Sequence, residues 1–329
     1  MQSDDFSLVE DIAEYQRRFE TLARNIETFI RGQDSVVKMA LVCLFAQGHI
    51  LIEGVPGVAK TSLARAIARA VTDCEVKRIQ FTPDLLPADI TGTQIYDRRD
   101  GTFSFMRGPV FANIVLGDEV NRASPKTQSA MLEVMAERQV TVDGKPEPVP
   151  RPFLCIATQN PIEHQGTYPL PEAQLDRFMM MLRMEYPPQF EETEIIANGV
   201  DRKTPDTTIV PMMGLVEMEA MIRTVQRVHV GQRVREYIVL IMSATRATNQ
   251  YIRLGISPRG GVALAQAAQS HAAARGSSVT TTDDVKAVAL PVLRHRLLLT
   301  PEAAAHMKDT DNLLGEMIAD VPAPESLHR

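Results

Sequence analysis

A short stretch between an apolar run and a helix constrains this chain more than any other feature. The stretch is Gly54-Val55-Pro56-Gly57-Val58-Ala59-Lys60-Thr61, and it lies between the apolar run 50–52 and the helix-like segment 62–68. A strand, a loop of small residues and a helix form the context in which backbone N–H groups bind phosphate oxygens. The helix also directs the positive end of its dipole at the same anion. The stretch therefore predicts a phosphate-binding loop rather than an ordinary turn.

The side chains of this loop suit a nucleoside triphosphate. Lys60 is placed to reach the β- and γ-phosphates, and the Thr61 hydroxyl is placed to bind Mg²⁺. Ala59 stands where the G-x-x-x-x-G-K-[ST] pattern has its second glycine. Alanine is the least costly replacement there, provided that its φ is negative. We therefore predict that the loop binds ATP and Mg²⁺ in spite of this departure.

Acidic and amide side chains follow two later strand-like runs. Asp118 and Glu119 end the run 113–117, and Asn160 follows the run 153–158. Ligands of parallel α/β sheets bind at the carboxyl ends of the strands, so these side chains are predicted to lie beside the loop. Asp118 is suited to orient Mg²⁺, Glu119 to polarise the water that attacks the γ-phosphate, and Asn160 to hydrogen-bond that water. Alone, each would be typical of solvated charge or a turn; beside a phosphate loop, the combination is a strong signal.

Two arginines are candidates for stabilising charge in the transition state of phosphoryl transfer. They are Arg177, after a short predicted helix, and Arg259, near the start of a predicted helix at 258–275. A guanidinium inserted at the γ-phosphate can raise the rate roughly 10³–10⁵-fold. For either arginine in isolation a surface ion pair is the simpler interpretation, so both assignments depend on the other motifs.

Composition limits the class of protein. The 329 residues are 44% hydrophobic and 23% charged, which is typical of a soluble chain with material for two domains. A net charge of −6 and few aromatic residues argue against nucleic-acid binding. The dispersed Cys43, Cys74 and Cys155 lack metal-ligand spacing and predict reduced, buried thiols. Without a signal-peptide pattern or an apolar run of membrane-spanning length, we expect a cytoplasmic protein.

The element pattern changes at Pro187-Pro188, and we place two domains at residues 1–187 and 188–329. In the first, strands alternate with helices, and Asp-Gly turns mark hairpins near 92–106 and 139–149. On the residues alone, the first hairpin is interpreted equally well as a decorative loop and as a functional insertion.

Several local expectations follow from the same reading of the pattern. A capping box at 7–10 should start an amphipathic first helix, and a short helical turn is expected at 83–87. Only helices are expected after residue 187, the last of them at 282–298 with Pro291 kinking or dividing it. The tail after Pro322 is expected to be loose.

Taken together, the motifs resemble those of the MoxR-type AAA+ ATPases. They are Gly-Val-Pro-Gly-Val-Ala-Lys-Thr, Gly-Asp-Glu-Val-Asn-Arg-Ala, Ala-Thr-Gln-Asn-Pro, Leu-Pro-Glu-Ala-Gln-Leu-Asp-Arg-Phe and Ser-Pro-Arg-Gly. The resemblance runs from about residue 12 to about residue 321, and the stretch 157–178 is its most specific part. It implies an α/β P-loop NTPase core, with a five-stranded parallel sheet sandwiched by helices, and a C-terminal all-α lid domain.

The resemblance implies a role for each motif. The loop would be Walker A, 116–119 the end of Walker B, Asn160 sensor 1, Arg177 the arginine finger and Arg259 sensor 2. The segment 29–33 would lie beside the adenine, so nucleotide contacts are also expected from Gly32, Gln33 and Ser62. The two hairpins would be the helix-2 insert and the pre-sensor-1 hairpin.

An arginine finger acts on the nucleotide of a neighbouring subunit, so the resemblance implies a homo-oligomeric ring, usually a hexamer. ATP and Mg²⁺ would be the cofactors, and the partner would be a client protein, often one with a von Willebrand factor A domain. No nucleic acid and no membrane insertion are expected. Two alternatives stay open: a metal-chelatase-like or nucleic-acid motor subunit of the same clade, and a nucleotide-gated scaffold with little turnover.

Overall fold

A computed structural model of the chain describes residues 2–99, 101–142, 144–160, 167–247 and 249–323. The strands, numbered in chain order, are β1 Ile50–Gly54, β2 Val71–Thr72, β3 Val76–Gln80, β4 Gly92–Asp97, β5 Thr102–Arg107, β6 Ile114–Asp118, β7 Gln139–Val142, β8 Lys145–Pro148, β9 Leu154–Gln159, β10 Met180–Met184, β11 Met213–Gly214, β12 Ile252–Leu254 and β13 Leu298–Leu299. The expected loose tail lies mostly outside the described residues, at 324–329.

The helices are distributed between and after these strands. They are α1 Gln2–Glu27, α2 Asp34–Phe45, α3 Lys60–Arg69, α4 Pro87–Thr91, α5 Pro125–Glu137, α6 Glu172–Leu175, α7 Gln189–Val200, α8 Pro205–Thr208, α9 Leu215–Arg227, α10 Gln232–Arg246, α11 Pro258–Ala274, α12 Thr282–Leu293, α13 Pro301–Ala305 and α14 Thr310–Asp320, with a 3₁₀ turn at Val120–Arg122. Among the described residues, no helix combines the length and the apolar character that crossing a membrane requires.

The central sheet is parallel and has the strand order β10-β1-β9-β6-β3. Its register pairs Gly54 with Met184, and Gln80 with Asp118. The carboxyl ends of the strands therefore meet along one edge, as the sequence predicts for a P-loop fold. Both hairpins are also confirmed, as β4–β5 and β7–β8.

Four of the five strands, β1, β6, β9 and β10, are buried at successive positions, because they are apolar at successive rather than alternate ones, whereas the edge strand β3 exposes Lys77, Arg78 and Gln80. Ile50, Ile52 and Leu116 belong to a large hydrophobic cluster on one face. Leu51 and Val115, which point the other way, belong to a second cluster that α5 covers. The result is a sheet between two layers of helices, and this packing fixes the positions of the strand ends.

The first helix buries the apolar stripe that its periodicity predicts. Ile12, Tyr15, Phe19, Leu22 and Ile26 are all buried in the larger cluster. The expected start was wrong, because α1 begins at Gln2 and continues through the predicted capping box at Ser7. Once a long apolar stripe packs on the core, tertiary contacts outweigh a local cap signal.

Other local expectations differ from the structure in whole or in part. The segment after residue 187 is not helical throughout, because it contains β11, β12 and β13, whose two or three residues give no detectable periodicity. The short helical turn expected at 83–87 is a single hydrogen-bonded turn, in which the Leu85 N–H donates to the Thr82 carbonyl at 3.2 Å, and the helix α4 begins only at Pro87. The last predicted helix continues through Pro291 but ends at Leu293.

Replacing Phe45 by alanine should strongly lower the free energy of unfolding. The Phe45 ring lies 5.4 Å from that of Tyr15 and 6.2 Å from that of Phe19, and it is fully enclosed. The expected loss is about 3–5 kcal/mol, as for other buried phenylalanines. Phe190 is the matched control, because its side chain is 71% exposed and its replacement by alanine should change the free energy by less than about 0.5 kcal/mol. Denaturant titration of both variants measures the difference.

Stability should fall between pH 6.5 and 4 because of His49. Burial lowers the pKa of His49 to about 4, and its ring accepts a hydrogen bond from the Cys155 N–H and lies 3.0 Å from the Met135 carbonyl oxygen. The unfolded chain takes up the proton below pH 6.5 whereas the folded chain does not, which costs up to about 3 kcal/mol by pH 4. The denaturation midpoint should change less steeply with pH in His49→Gln than in the unaltered protein. An equal slope in the two proteins would contradict the assignment of this effect to His49.

Candidate functional site

The phosphate loop connects β1 to α3 at the carboxyl edge of the sheet. Gly54 ends the strand and Lys60 begins the helix. The Lys60 Nζ atom donates to the Gly54 carbonyl at 2.5 Å and to the Gln159 carbonyl at 3.4 Å. A Cβ atom on Gly54 would lie 2.6 Å from the Met184 carbonyl oxygen, so this position requires glycine. The ammonium group thus lies between the ends of β1 and β9.

Ala59 adopts a backbone conformation that the sequence expectation did not anticipate. Its φ is +65° and its ψ is 26°, in the left-handed region, so the condition of a negative φ is not met. An alanine there costs roughly 1–2 kcal/mol relative to the right-handed conformation. The left-handed conformation explains why the general pattern has glycine at this position. In this chain alanine adopts the same conformation, with the steric strain that glycine avoids.

Replacing Ala59 by glycine should therefore stabilise the fold by about 1 kcal/mol, because glycine occupies the left-handed region without steric cost. Ala64, buried within α3, is the opposite control, since glycine there should destabilise the fold by at least about 0.5–1 kcal/mol. Thermal or denaturant unfolding measures both. A destabilised Ala59→Gly variant would show that the strain is not stored in the folded loop.

Asp118 ends β6 and lies beside the loop as predicted. The Thr61 hydroxyl donates to its two carboxylate oxygens at 3.2 and 3.3 Å, and the Thr158 hydroxyl donates to one of them at 3.1 Å. The Arg78 guanidinium, on the neighbouring strand β3, donates at 2.7 Å. Hydroxyl and carboxylate oxygens are the donors that Mg²⁺ prefers, so Thr61 and Asp118 fit the ion that the sequence predicts.

Glu119 follows Asp118 in a left-handed conformation, with a φ of +58°. Its N–H donates to the Thr158 hydroxyl at 3.0 Å, which fixes the backbone. Its carboxylate accepts hydrogen bonds from Gln80 at 3.0 Å and from Arg122 at 2.9 Å. Both hydrogen bonds end on Oε2, so the carboxylate is held at the sheet edge through one of its two oxygens.

Asn160 completes this edge of the sheet. It directly follows Gln159, whose carbonyl accepts from Lys60, and only 4% of its surface is exposed. The residues that follow it in the predicted motif, 161–166, lie outside the described part of the chain. Lys60, Thr61, Asp118, Glu119 and Asn160 thus meet where the sequence predicts them. Sequence reasoning gave no role to Arg78, Gln80 and Thr158, because only the pairing of β3, β6 and β9 brings them to the acids. It also gave none to Arg122, which reaches Glu119 locally from the 3₁₀ turn three residues later.

A cavity of about 570 Å³ opens beside the loop and fits the predicted nucleoside site. Its wall includes Gln33, Ser62 and Tyr186, together with Ile195 and Ile196 from α7. The helix α7 buries none of its own side chains. Tyr186 and α7 were not predicted to take part, because no motif marks them.

Gly32 supports this cavity without lining it. Its φ is +68°, and a Cβ atom there would lie 2.8 Å from Cβ of Pro187. The neighbouring Gln33 side chain donates to the Glu185 carbonyl at 2.6 Å. The turn before α2 is therefore held closely against the segment after β10.

The two predicted arginines do not lie near the phosphate loop of their own chain. Arg177 precedes β10, whose first residue, Met180, pairs with Ile50 at the start of β1. The side chain of Asp176, next to Arg177, accepts from the Ser257 hydroxyl at 3.4 Å, which places Arg259 nearby. A five-residue strand spans about 13 Å. Both arginines thus belong to the amino-terminal edge of the sheet, opposite Lys60.

Comparison with known proteins supports this description of the fold. The profile of the "ATPase family associated with various cellular activities (AAA)" matches residues 49–180, and that of the "AAA lid domain" matches residues 244–317. The chain is 41% identical over 308 residues to "Chaperone MoxR1" of Mycobacterium tuberculosis, covering 91% of this chain and 81% of that protein. It is 29% identical over 342 residues to "Protein MoxR" of Paracoccus denitrificans, covering 95% and 98%.

Two further relatives are similar over nearly their whole length. "Uncharacterized protein YeaC" of Bacillus subtilis is 43% identical over 300 residues, or 91% of this chain and 93% of that protein. A crystal structure of a protein assigned as an ATPase from Cytophaga hutchinsonii superimposes with a TM-score of 0.89 at 34% identity, covering 98% of this chain and 99% of that one.

Replacing Gly32 by alanine should weaken nucleotide binding at least about tenfold. The new methyl group would press Pro187 away from the cavity wall, and a displaced wall loses contacts with the nucleoside. Gly144→Ala is the matched control, because Gly144 also has a positive φ, of +74°, but a Cβ atom added there would meet no described atom within 4 Å. Titration with a fluorescent ATP analogue measures the dissociation constants; equal values in both variants would exclude the contact as the cause.

Proposed function

This chain belongs to the MoxR family of AAA+ ATPases, and from this premise we propose that it hydrolyses ATP, with Mg²⁺, to drive remodelling of a client protein. The observation that carries the proposal is the meeting of Lys60, Asp118 and Asn160 at one sheet edge. A phosphate loop without the acids would bind a nucleotide but would offer no group to activate water.

Each residue of this edge has a proposed task in the reaction. Lys60 and the backbone N–H groups of the loop would bind the phosphates, while Thr61 and Asp118 would hold Mg²⁺, which would neutralise charge on the phosphate oxygens. Glu119 orients and polarises the attacking water, and Asn160 hydrogen-bonds that water and the γ-phosphate. Gln80 and Arg122 keep the Glu119 carboxylate in place before the nucleotide is bound.

The position of Arg177 and Arg259 favours a ring. Both lie at the sheet edge opposite their own phosphate loop, so they can stabilise transition-state charge only at the site of another subunit. We therefore propose a homo-oligomer, a hexamer in the simplest form, in which each subunit completes the site of its neighbour.

The chaperone activity rests on the relatives and on exposed apolar residues. One relative is named a chaperone, and the β4–β5 hairpin exposes Ile95, Tyr96, Phe103 and Met106. A hairpin that exposes several large apolar side chains suits contacts with another protein. We propose a protein client, for which a von Willebrand factor A domain stays a prediction, as do the domain division at 187/188, a cytoplasmic location and the absence of a nucleic-acid partner.

The alternatives predict different behaviour. A nucleic-acid motor would be stimulated by DNA or RNA, and a chelatase-like subunit would need a metal-inserting partner. A nucleotide-gated scaffold would bind ATP with negligible turnover; the strain at Ala59 and the need for a second subunit keep this alternative relevant.

Replacing Glu119 by glutamine should lower kcat at least about 10²-fold, because the amide cannot polarise the attacking water. ATP binding should be retained, since Glu119 has no proposed contact with the phosphates. Lys60→Ala should instead raise the dissociation constant for ATP roughly tenfold or more, because it removes charge-assisted hydrogen bonds. Phosphate release and nucleotide titration separate the two effects. Turnover of Glu119→Gln at the rate of the unaltered protein would overturn the assignment.

Specific activity should rise with protein concentration, because a lone subunit lacks the arginines that act at its site. We expect the increase to follow assembly measured by analytical ultracentrifugation, and Arg177→Ala to assemble with activity lowered about 10³-fold or more. A specific activity independent of concentration, measured over a range in which assembly changes, would exclude the ring mechanism.

A further inference from the structure

A buried arginine connects the two segments that carry Arg177 and Arg259. We infer that Arg296 is a positioning residue, which holds these segments together so that both guanidinium groups are presented to a neighbouring subunit as one unit. The inference rests on the proposed function, because it takes for granted that Arg177 acts on the neighbour's ATP.

The contacts of Arg296 enclose the backbone around Arg177. Its Nε donates to the Asp176 carboxylate at 2.7 Å, and its Nη2 donates to the carbonyls of Asp176 and Phe178 at 3.2 and 2.6 Å. Its Nη1 donates to the Met179 carbonyl at 3.1 Å. The hydrogen bonds thus fix the main chain on both sides of Arg177, while the Arg177 side chain takes no part in them.

The same guanidinium is also held by the lid helices. Nη1 donates to the Val292 carbonyl within α12. The start of α11 packs on the Arg296 stem so closely that a Cβ on Gly260 would lie 2.9 Å from its Cδ. Ser257, which caps α11, donates to Asp176. Gly260 directly follows Arg259, so the helix turn that carries Arg259 rests on Arg296.

Burial makes this connection rigid. The Arg296 side chain is 3% exposed, and burial is the main cause that lowers its pKa, opposed by Asp176. A buried guanidinium without partners would be very costly, so the surrounding carbonyls and the carboxylate have to keep their places. Arginine suits the task because its planar fork offers several donors in fixed directions, whereas lysine offers a single point charge.

The test uses mixed oligomers, in which one subunit supplies the arginines and another supplies the active site. Arg177→Ala subunits keep their own site but present no finger, and Glu119→Gln subunits present a finger but hydrolyse ATP at least about 10²-fold more slowly. Mixing the two should restore ATPase activity. Failure of this mixture, with assembly intact, would refute the proposed action of Arg177 between subunits, and the inference about Arg296 with it.

The second step places a further change on the finger-donating subunit. With Glu119→Gln/Arg296→Lys as donor, we expect the restored activity to fall at least about tenfold, because small displacements of a reacting group are costly. The ATP dissociation constant of the donor and its assembly should not change. Glu119→Gln/Arg294→Lys is the matched control: Arg294 belongs to the same helix end but pairs with Asp311 at 3.1 Å, so restored activity should be kept.

A second donor variant, Glu119→Gln/Asp176→Asn, removes the ion pair and leaves Arg296 in place, and it decides the question should the lysine variant fail to fold. Restored activity equal to that of the Glu119→Gln donor, in either folded variant, would overturn the inference. An equal loss in the Arg294→Lys control would also overturn it, because the effect would then be a general loss of stability.

Discussion

The hydrogen bonds from Lys60 to the ends of β1 and β9 depend on the register of the parallel sheet, and so does the rest of the site. With the carboxyl ends of β1, β9 and β6 at one edge, a single ammonium group reaches two strands while the next residue, Thr61, reaches a third. Because side chains alternate along a strand, a slip of one residue in β6 would turn the Asp118 carboxylate to the opposite face. Such a slip would bring a side chain to the position of Gly117, where a Cβ atom would lie 2.9 Å from the Phe81 ring. The packing of the core thus fixes the chemistry of the edge.

The residues that the sequence places well are those at strand ends and in the phosphate loop. Asp118 and Asn160 are found because each stands at the end of an apolar run, and a parallel sheet brings such ends together. Lys60 is found from the spacing of the loop that follows β1. The donors around the acids are different: Arg78 and Gln80 belong to a strand whose place at the sheet edge no local pattern reveals.

The conformation of Ala59 was missed for another reason. Its left-handed backbone is imposed by the loop as a whole. Alanine has no preference for that conformation, so the residue type does not predict it. The place of Arg259 depends on how α11 packs against the core, which involves contacts over long sequence separations. The roles of all these residues in catalysis stay predictions until the variants are measured.

The two parts of the chain share one hydrophobic cluster. Tyr15 and Ile67 from the first part, and Leu264 and Val288 from the second, belong to it together. The boundary predicted at 187/188 is thus a change in secondary structure and not a gap in the packing. Movement of the lid helices as a rigid body would have to break this cluster, or take α1 and α2 with it.

The helix α7 is a different case, because it buries no side chain of its own although Ile195 and Ile196 form part of the cavity wall. Most of the stability of a helix of this length in a protein comes from packing on an apolar face. A nucleoside in the cavity would provide the apolar surface that the protein itself does not. The amide protons of α7 would then exchange slowly with solvent only when a nucleotide is bound. Their exchange rate would therefore show whether the cavity is occupied.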